Sequence, residues 1–154
     1  METELIIGTS TLKILYTVLV SWVAGLLAFL NIDADLMFLY AMLLTLDLIT
    51  GTFASFMLRK KFSKARFGAG ILAKVLMILI PVTIGIVSKM QGVNGLIWFT
   101  KWTLIVLGIS EALSIFNNIL KAQGKPTLPD VDAISIIATR LREILEKLIK
   151  KGEN

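Results

Sequence analysis

The feature that most constrains this chain is an apolar stretch of membrane-spanning length with a single acid near its middle. Residues 36–58 carry no charged residue except Asp47. As a helix, this stretch is long enough to cross the ~30 Å hydrocarbon core of a bilayer. A charge at that depth requires a partner or water, and helical spacing places Thr50 and Gly51 on the same face as Asp47. We therefore predict a transmembrane helix whose polar face contacts protein or water rather than lipid.

Three further apolar stretches indicate a protein with several spans. They cover approximately residues 12–30, 70–87 and 94–120. Hydrophobic residues make up 56% of the 154-residue chain, which is more than a soluble domain usually carries. We predict an all-α integral membrane protein with a four-helix transmembrane domain over residues 1–120. A hydroxyl residue at position 9, 10 or 11 is predicted to cap the first helix.

The segment after the second span predicts the orientation of the protein. It contains five bases and no acid, namely Arg59, Lys60, Lys61, Lys64 and Arg66. The turn at residues 31–35 has two acids and no base, and the connection at 88–92 has one base. The positive-inside rule places the basic segment in the cytoplasm, so that both termini are cytoplasmic as well. Binding of anionic lipid headgroups is a second possible role for these bases.

The last part of the chain predicts a cytoplasmic amphipathic helix over residues 131–151, after a linker at 121–130. Asp130 is the predicted N-cap, and the many charges of this helix forbid a crossing of the membrane. Its apolar stripe comprises Ile134, Ile137, Leu141, Leu145 and Leu148. The spacing fits both a helical period and a heptad. We predict an association helix that lies on the membrane surface or bundles with copies of itself.

Three other ionisable residues lie inside predicted spans: Lys74, Lys101 and Glu111. Their distances from the helix ends predict Glu111 near Lys74, and Asp47 near Lys101. Two interpretations stay open. The charges either neutralise one another inside one four-helix bundle, or they form a polar wall at a pore or subunit interface. The candidate residues for such a wall are Asp47, Thr50, Gly51, Lys74, Lys101, Glu111, Ser114 and Asn118.

Composition argues against an enzyme. The chain has no cysteine and no histidine, so the sequence predicts no disulfide, no metal site and no imidazole or thiol chemistry. Neither a phosphate-binding glycine loop nor a pair of catalytic carboxylates is evident. The net charge of +5 reflects the basic segment rather than a soluble basic face, and we predict neither a cofactor nor a nucleic-acid partner.

Four short motifs occur in a familiar order. Asp47, Thr50 and Gly51 form a D-x-x-T-G element, and a G-x-x-x-K element ends at Lys74. Residues 111–118 look like an E-x-x-S-I-x-x-N segment, and 124–129 form a Gly/Pro element. Together they resemble the bacteriophage holin family, which includes the toxin-secretion holins of clostridia. Two departures are Ser110, where the family commonly has Asn, and the long, regular final helix.

The resemblance implies a small protein of the bacterial inner membrane. Its partners would be the lipid bilayer, further copies of itself, and a muralytic enzyme or toxin that is released when the copies assemble and permeabilise the membrane. Two other classes are compatible with the residues. One is a small oligomeric ion channel or ion-coupled carrier, with Asp47 and Glu111 as ion sites. The other is a membrane scaffold or effector whose tail helix binds a partner.

Overall fold

The computed structural model describes residues 2–59, 63–91 and 95–152, and these form five α-helices with no strand among them. The helices are α1 (Glu2–Phe29), α2 (Ala34–Met57), α3 (Lys64–Gln91), α4 (Gly95–Ala122) and α5 (Ala133–Gly152). The first four are long and apolar enough to cross a membrane, over Leu12–Phe29, Ala34–Met57, Phe67–Met90 and Leu96–Ala122. The prediction of an all-α membrane protein is confirmed.

Helix α1 starts ten residues earlier than predicted. It runs from Glu2, so the hydroxyl residues at positions 9–11 lie inside the helix and the predicted cap is wrong. Serine and threonine are tolerated within helices because their hydroxyls can bond to the carbonyl one turn back. Thr17 does this in the same helix, where its hydroxyl donates to the carbonyl of Lys13 at 2.9 Å.

The bundle is built around the contact between α2 and α4, which is the most extensive helix pairing in the described residues. We call this contact, together with the part of α3 that packs on it, the seam. Its apolar core includes Tyr40 and Leu44 of α2, and Phe99, Leu104 and Leu107 of α4. Helix α1 has few contacts with α2, and most of its side chains are exposed.

The turn between α1 and α2 is fixed against α3. Asn31 adopts a left-handed backbone with φ of 54°, a conformation that asparagine tolerates better than most residues. Ile32 is buried, and a Cβ at Gly85 of α3 would lie 3.2 Å from its side chain. Asp33 then caps α2, accepting a hydrogen bond from the amide of Leu36 at 3.2 Å. Gly85 therefore allows this turn to pack closely on α3.

Helix α5 packs along α4 instead of forming a separate layer. Ala133 and Ile137 are 4% and 3% exposed, and Leu141 is half-buried. The cap is Asp132, which accepts hydrogen bonds from the amide and hydroxyl of Ser135 at 3.0 and 2.6 Å. The prediction of Asp130 as the N-cap is wrong, because Asp132 satisfies the free amide of the first turn.

Candidate functional site

Three ionisable residues from three different spans meet in the seam. The ammonium of Lys74 lies 3.0 Å from Oδ2 of Asp47, and it also donates to Oε2 of Glu111. We call these three residues the charge triad. Asp47 lies ten residues before the end of α2, Lys74 ten after the start of α3, and Glu111 eleven before the end of α4. At ~1.5 Å per residue, all three therefore lie at one depth, ~15 Å from these helix ends.

One of the two predicted pairings is confirmed and the other is wrong. Glu111 does pair with Lys74, but Asp47 pairs with the same lysine and not with Lys101. Lys101 lies only six residues after the start of α4, at the opposite end of the bundle. There its ammonium is 3.1 Å from Oδ2 of Asp33. The depth of each residue in the membrane could not show that acids from two helices bind the same lysine.

The charge triad is strongly shielded, in contrast to the pair at the bundle end. Glu111 is 2% exposed and Asp47 7%, whereas the side chain of Lys101 is 49% exposed. The amide of Leu36 and, second, the ammonium of Lys101 hold the pKa of Asp33 below its usual range. The exposed pair is thus a surface contact, and the triad is the polar centre of the transmembrane domain.

Asn118 extends the triad toward the end of α2. Its side-chain amide donates to Oδ1 of Asp47 at 2.9 Å and lies 3.4 Å from the hydroxyl of Thr50. A Cβ at Gly51 would lie 3.3 Å from the same amide nitrogen, so Gly51 makes room for Asn118. The D-x-x-T-G element and the last residue of the 111–118 segment are therefore one contact between α2 and α4.

A cavity of about 200 Å³ borders the triad on the side of the linker. Its lining includes Lys74, Ser110, Glu111, Ser114, Asn117 and Asp130. Seven of the eight predicted pore or interface residues thus lie in or beside one site, and Lys101 does not. Among the residues that the structure describes, no group of three acids, histidines or cysteines is placed to hold a metal ion.

Sequence reasoning missed Asn117, which fastens the linker to the bundle. Asn117 is 4% exposed, its Oδ1 accepts from the amide of Leu128 at 2.7 Å, and its Nδ2 donates to the carbonyl of Leu128 at 3.2 Å. Asp130 lies beside it, with an oxygen 3.5 Å from Nδ2. The sequence did contain a signal, namely the adjacent residues Asn117 and Asn118. Neighbouring side chains on a helix point in different directions, so the two amides require two different partners.

The basic segment and the tail stripe are only partly described. Arg59 and Lys64 are exposed, whereas Lys60, Lys61 and the side chain of Arg66 lie outside the described residues. Lipid binding by this segment therefore stays a prediction.

In the tail stripe, Ile137 is buried against the bundle, Leu141 and Leu145 are half-buried, and Ile134 is 50% exposed. The side chain of Leu148 lies outside the described residues. Association of α5 with other copies stays a prediction.

Comparison with known proteins agrees with the motif order. A model of the bacteriophage holin family matches residues 24–147, which is most of the chain and includes the whole charge triad. Searches of curated proteins and of solved structures found no match. The resemblance to this family, whose members are pore-forming membrane proteins, is confirmed. The chain belongs to the bacteriophage holin family and is a multi-pass protein of the inner membrane.

Proposed function

We propose that this protein assembles into oligomers in the inner membrane and opens lesions through which a muralytic enzyme or toxin leaves the cell. The basic segment faces the cytoplasm in this proposal, and so does the N-terminus. Membership of the holin family and four apolar spans support it. The link to clostridial toxin secretion rests on the motif resemblance alone.

The observation that carries the proposal is a charged surface next to a membrane span. The linker is hydrogen-bonded to Asn117 of α4, which lies within the span Leu96–Ala122. Helix α5 then lies beside α4, and its residues Arg140 and Glu143 line a groove together with Trp102 of α4. The outward side of α5 carries two ion pairs, Arg140–Glu143 at 2.6 Å and Arg142–Glu146 at 2.9 Å. Hydrocarbon does not accommodate such charges, so a single chain that holds them beside a membrane span is driven to associate. In the assembled state, a lumen between subunits supplies water to this surface.

Helix α1 is the proposed contact between subunits. Only 6% of the residues in its span are buried. Its small-residue stripe, Thr17, Ser21, Ala24, Gly25 and Ala28, is exposed, and a Cβ at Gly25 would meet nothing within 4 Å. Between membrane helices, small residues permit the close packing that drives association. A second copy fits this stripe better than lipid does.

The seam gives the proposal its two states. In a single chain, Asp47, Lys74, Glu111 and Asn118 satisfy one another inside the bundle. We propose that this is the harmless state before assembly, and that the same residues, with Thr50, Gly51, Ser114 and Lys101, face neighbouring subunits or the lumen afterwards. Packed interiors switch between discrete arrangements rather than deforming continuously.

Cysteine labelling tests the water-facing side of α5, because the natural chain has no cysteine. In membranes after assembly, Glu143→Cys should react with a membrane-impermeant maleimide. The matched control Leu19→Cys lies on an exposed, apolar face of α1 and should not react. Equal protection of both cysteines would contradict a water-filled lumen along α5.

The same background tests the α1 contact. Ser21→Cys should form disulfide-linked dimers on oxidation, whereas Leu19→Cys, on the opposite face of the same helix, should form far fewer. Equal cross-linking at both positions would mean that α1 makes no specific contact.

A further inference from the structure

The charge triad contains one more acid than base. Asp47 and Glu111 share the ammonium of Lys74, so the site carries a net charge of −1 when all three groups are ionised. Both acids are nine-tenths buried or more, within spans that cross the membrane. An unbalanced charge in such a place is costly, and it is usually removed by binding a counter-charge. The site therefore calls for one more positive charge.

The hydrogen bonds show where that charge fits. Asp47 uses both oxygens, Oδ2 with Lys74 and Oδ1 with Asn118. Within the described part of the chain, the hydrogen bonds of Glu111 use only Oε2. The Tyr40 hydroxyl, two turns before Asp47 on the same face of α2, is buried without a hydrogen-bond partner among those residues, and it lies close enough to interact electrostatically with Glu111. The space beside Oε1 of Glu111 is therefore the place left for a further positive charge.

A proton suits this space better than a metal ion. The ammonium of Lys74 already lies between the two carboxylates, and a metal would have to displace it, whereas a proton needs no room. The cavity lined by Asp130 and Val131 also reaches Lys74 and Glu111, and both linker residues are exposed, so the cavity connects the triad with the surface of the chain.

We propose that the charge triad is a one-proton site, with the proton on Glu111, Asp47 ionised and Lys74 charged. The charged and titratable groups near Glu111 are Tyr40 and Asp47 from α2, Lys74 from α3 and Asp130 from the linker. On α5, Arg140 and Glu143 line a different groove with Trp102. This proposal is independent of lesion formation, because it concerns the closed single chain.

Infrared spectroscopy tests the proton directly, on the full chain in nanodiscs of phosphatidylethanolamine and phosphatidylglycerol at neutral pH. A protonated carboxyl group shows a carbonyl stretch that ionised carboxylates lack. The natural protein should show this band, and Glu111→Gln should lose it. Asp47→Asn should lose it as well, since a single ionised Glu111 then balances Lys74. Glu143→Gln, which alters an exposed acid of α5, should keep the band.

Three results would overturn the proposal. They are the absence of the band in the natural protein, its persistence in Glu111→Gln, and its persistence in Asp47→Asn. Each variant replaces a carboxyl group by an amide of the same shape, and circular dichroism of both variants shows whether the bundle is intact. Because the measurement uses closed protein, its outcome is separate from that of any leakage assay.

Discussion

Helices α1 and α2 have similar apolar composition, yet the chain uses them in opposite ways. In the span of α1, 6% of residues are buried, whereas the figure for α2 is 22%. The difference lies in their polar residues. Helix α2 carries Asp47, which binds Lys74 and Asn118, and α1 carries only small hydroxyl and glycine positions along its stripe. Apolar content thus determines that both helices enter the membrane, and the polar residues determine which of them packs within the chain.

The largest expected effect comes from removing the cation of the triad. Lys74→Leu leaves two buried carboxylates without a partner, and breaking a buried charge pair in this way costs about 3–5 kcal/mol. We expect the variant to unfold far more easily in detergent, or to fail to accumulate in the membrane. Lys101→Leu is the matched control, because its exposed ion pair contributes little. An equal loss of stability in both variants would show that the buried ion pairs of the seam contribute no more than the exposed pair.

Removing one acid tests function rather than folding. Asp47→Leu leaves Lys74 paired with Glu111, so the bundle should stay folded. The variant should instead alter the seam contacts that we propose change when the copies assemble. We expect abolished or mistimed lysis at equal membrane levels, followed as culture density after induction. Unchanged lysis would remove Asp47 from the mechanism.

Two glycines sharpen the comparison between the helices. Gly51→Leu forces Asn118 away from Asp47, and such overpacking costs about 1–3 kcal/mol of unfolding free energy. Gly25→Leu meets open space, so the stability of the single chain should not fall, but cross-linking between copies through α1 should. Thermal unfolding and Ser21→Cys cross-linking measure the two effects. The opposite pattern would assign the subunit contact to α2.

A smaller effect is expected where the linker meets the bundle. Asn117→Leu removes both hydrogen bonds to Leu128, at a cost of about 1–2 kcal/mol. This corresponds to roughly a five- to thirtyfold rise in the fraction of molecules whose linker is detached from α4. Trypsin should then cleave faster after Lys121, the linker lysine that is not followed by proline. Gln123→Leu, at an exposed position, is the control. An unchanged cleavage rate would show that Asn117 does not hold the linker.

The smallest effect concerns acid pH. The hydroxyl and then the amide of Ser135 hold the pKa of Asp132 below its usual range. A lowered pKa means that the cap contributes stability above the ordinary aspartate pKa of about 3.9 and loses it as the pH falls through the lower, native value. Far-ultraviolet circular dichroism should show a small helix loss in acid that Asp132→Asn no longer shows. A loss of equal size in that variant would exclude the cap as its cause.

Much of this architecture could be predicted from sequence, because long apolar runs leave a membrane chain few alternatives. The four spans and the residues of the polar site followed from hydropathy and helical spacing. The ion-pair partner of Asp47 could not be predicted, because its depth in the membrane was compatible with Lys101. Only the packing of three helices showed that Lys74 serves two acids.

The placement of α5 could not be predicted for a related reason. Its stripe fits a membrane surface, a coiled coil or the bundle equally well, and the choice depends on the linker. Asn117 fixes that linker through the backbone of Leu128, and a backbone partner leaves no pattern in the sequence. The N-cap of α5 is therefore Asp132 and not the predicted Asp130.

The most direct test of the central claim is to induce expression in a bacterial host while recording membrane potential and the leakage of a cytoplasmic enzyme from the same culture. The proposed assembly predicts a silent interval, followed by sudden depolarisation together with leakage of the enzyme. Gradual depolarisation without enzyme leakage, at confirmed membrane levels, would contradict lesion formation and favour a small ion channel or carrier.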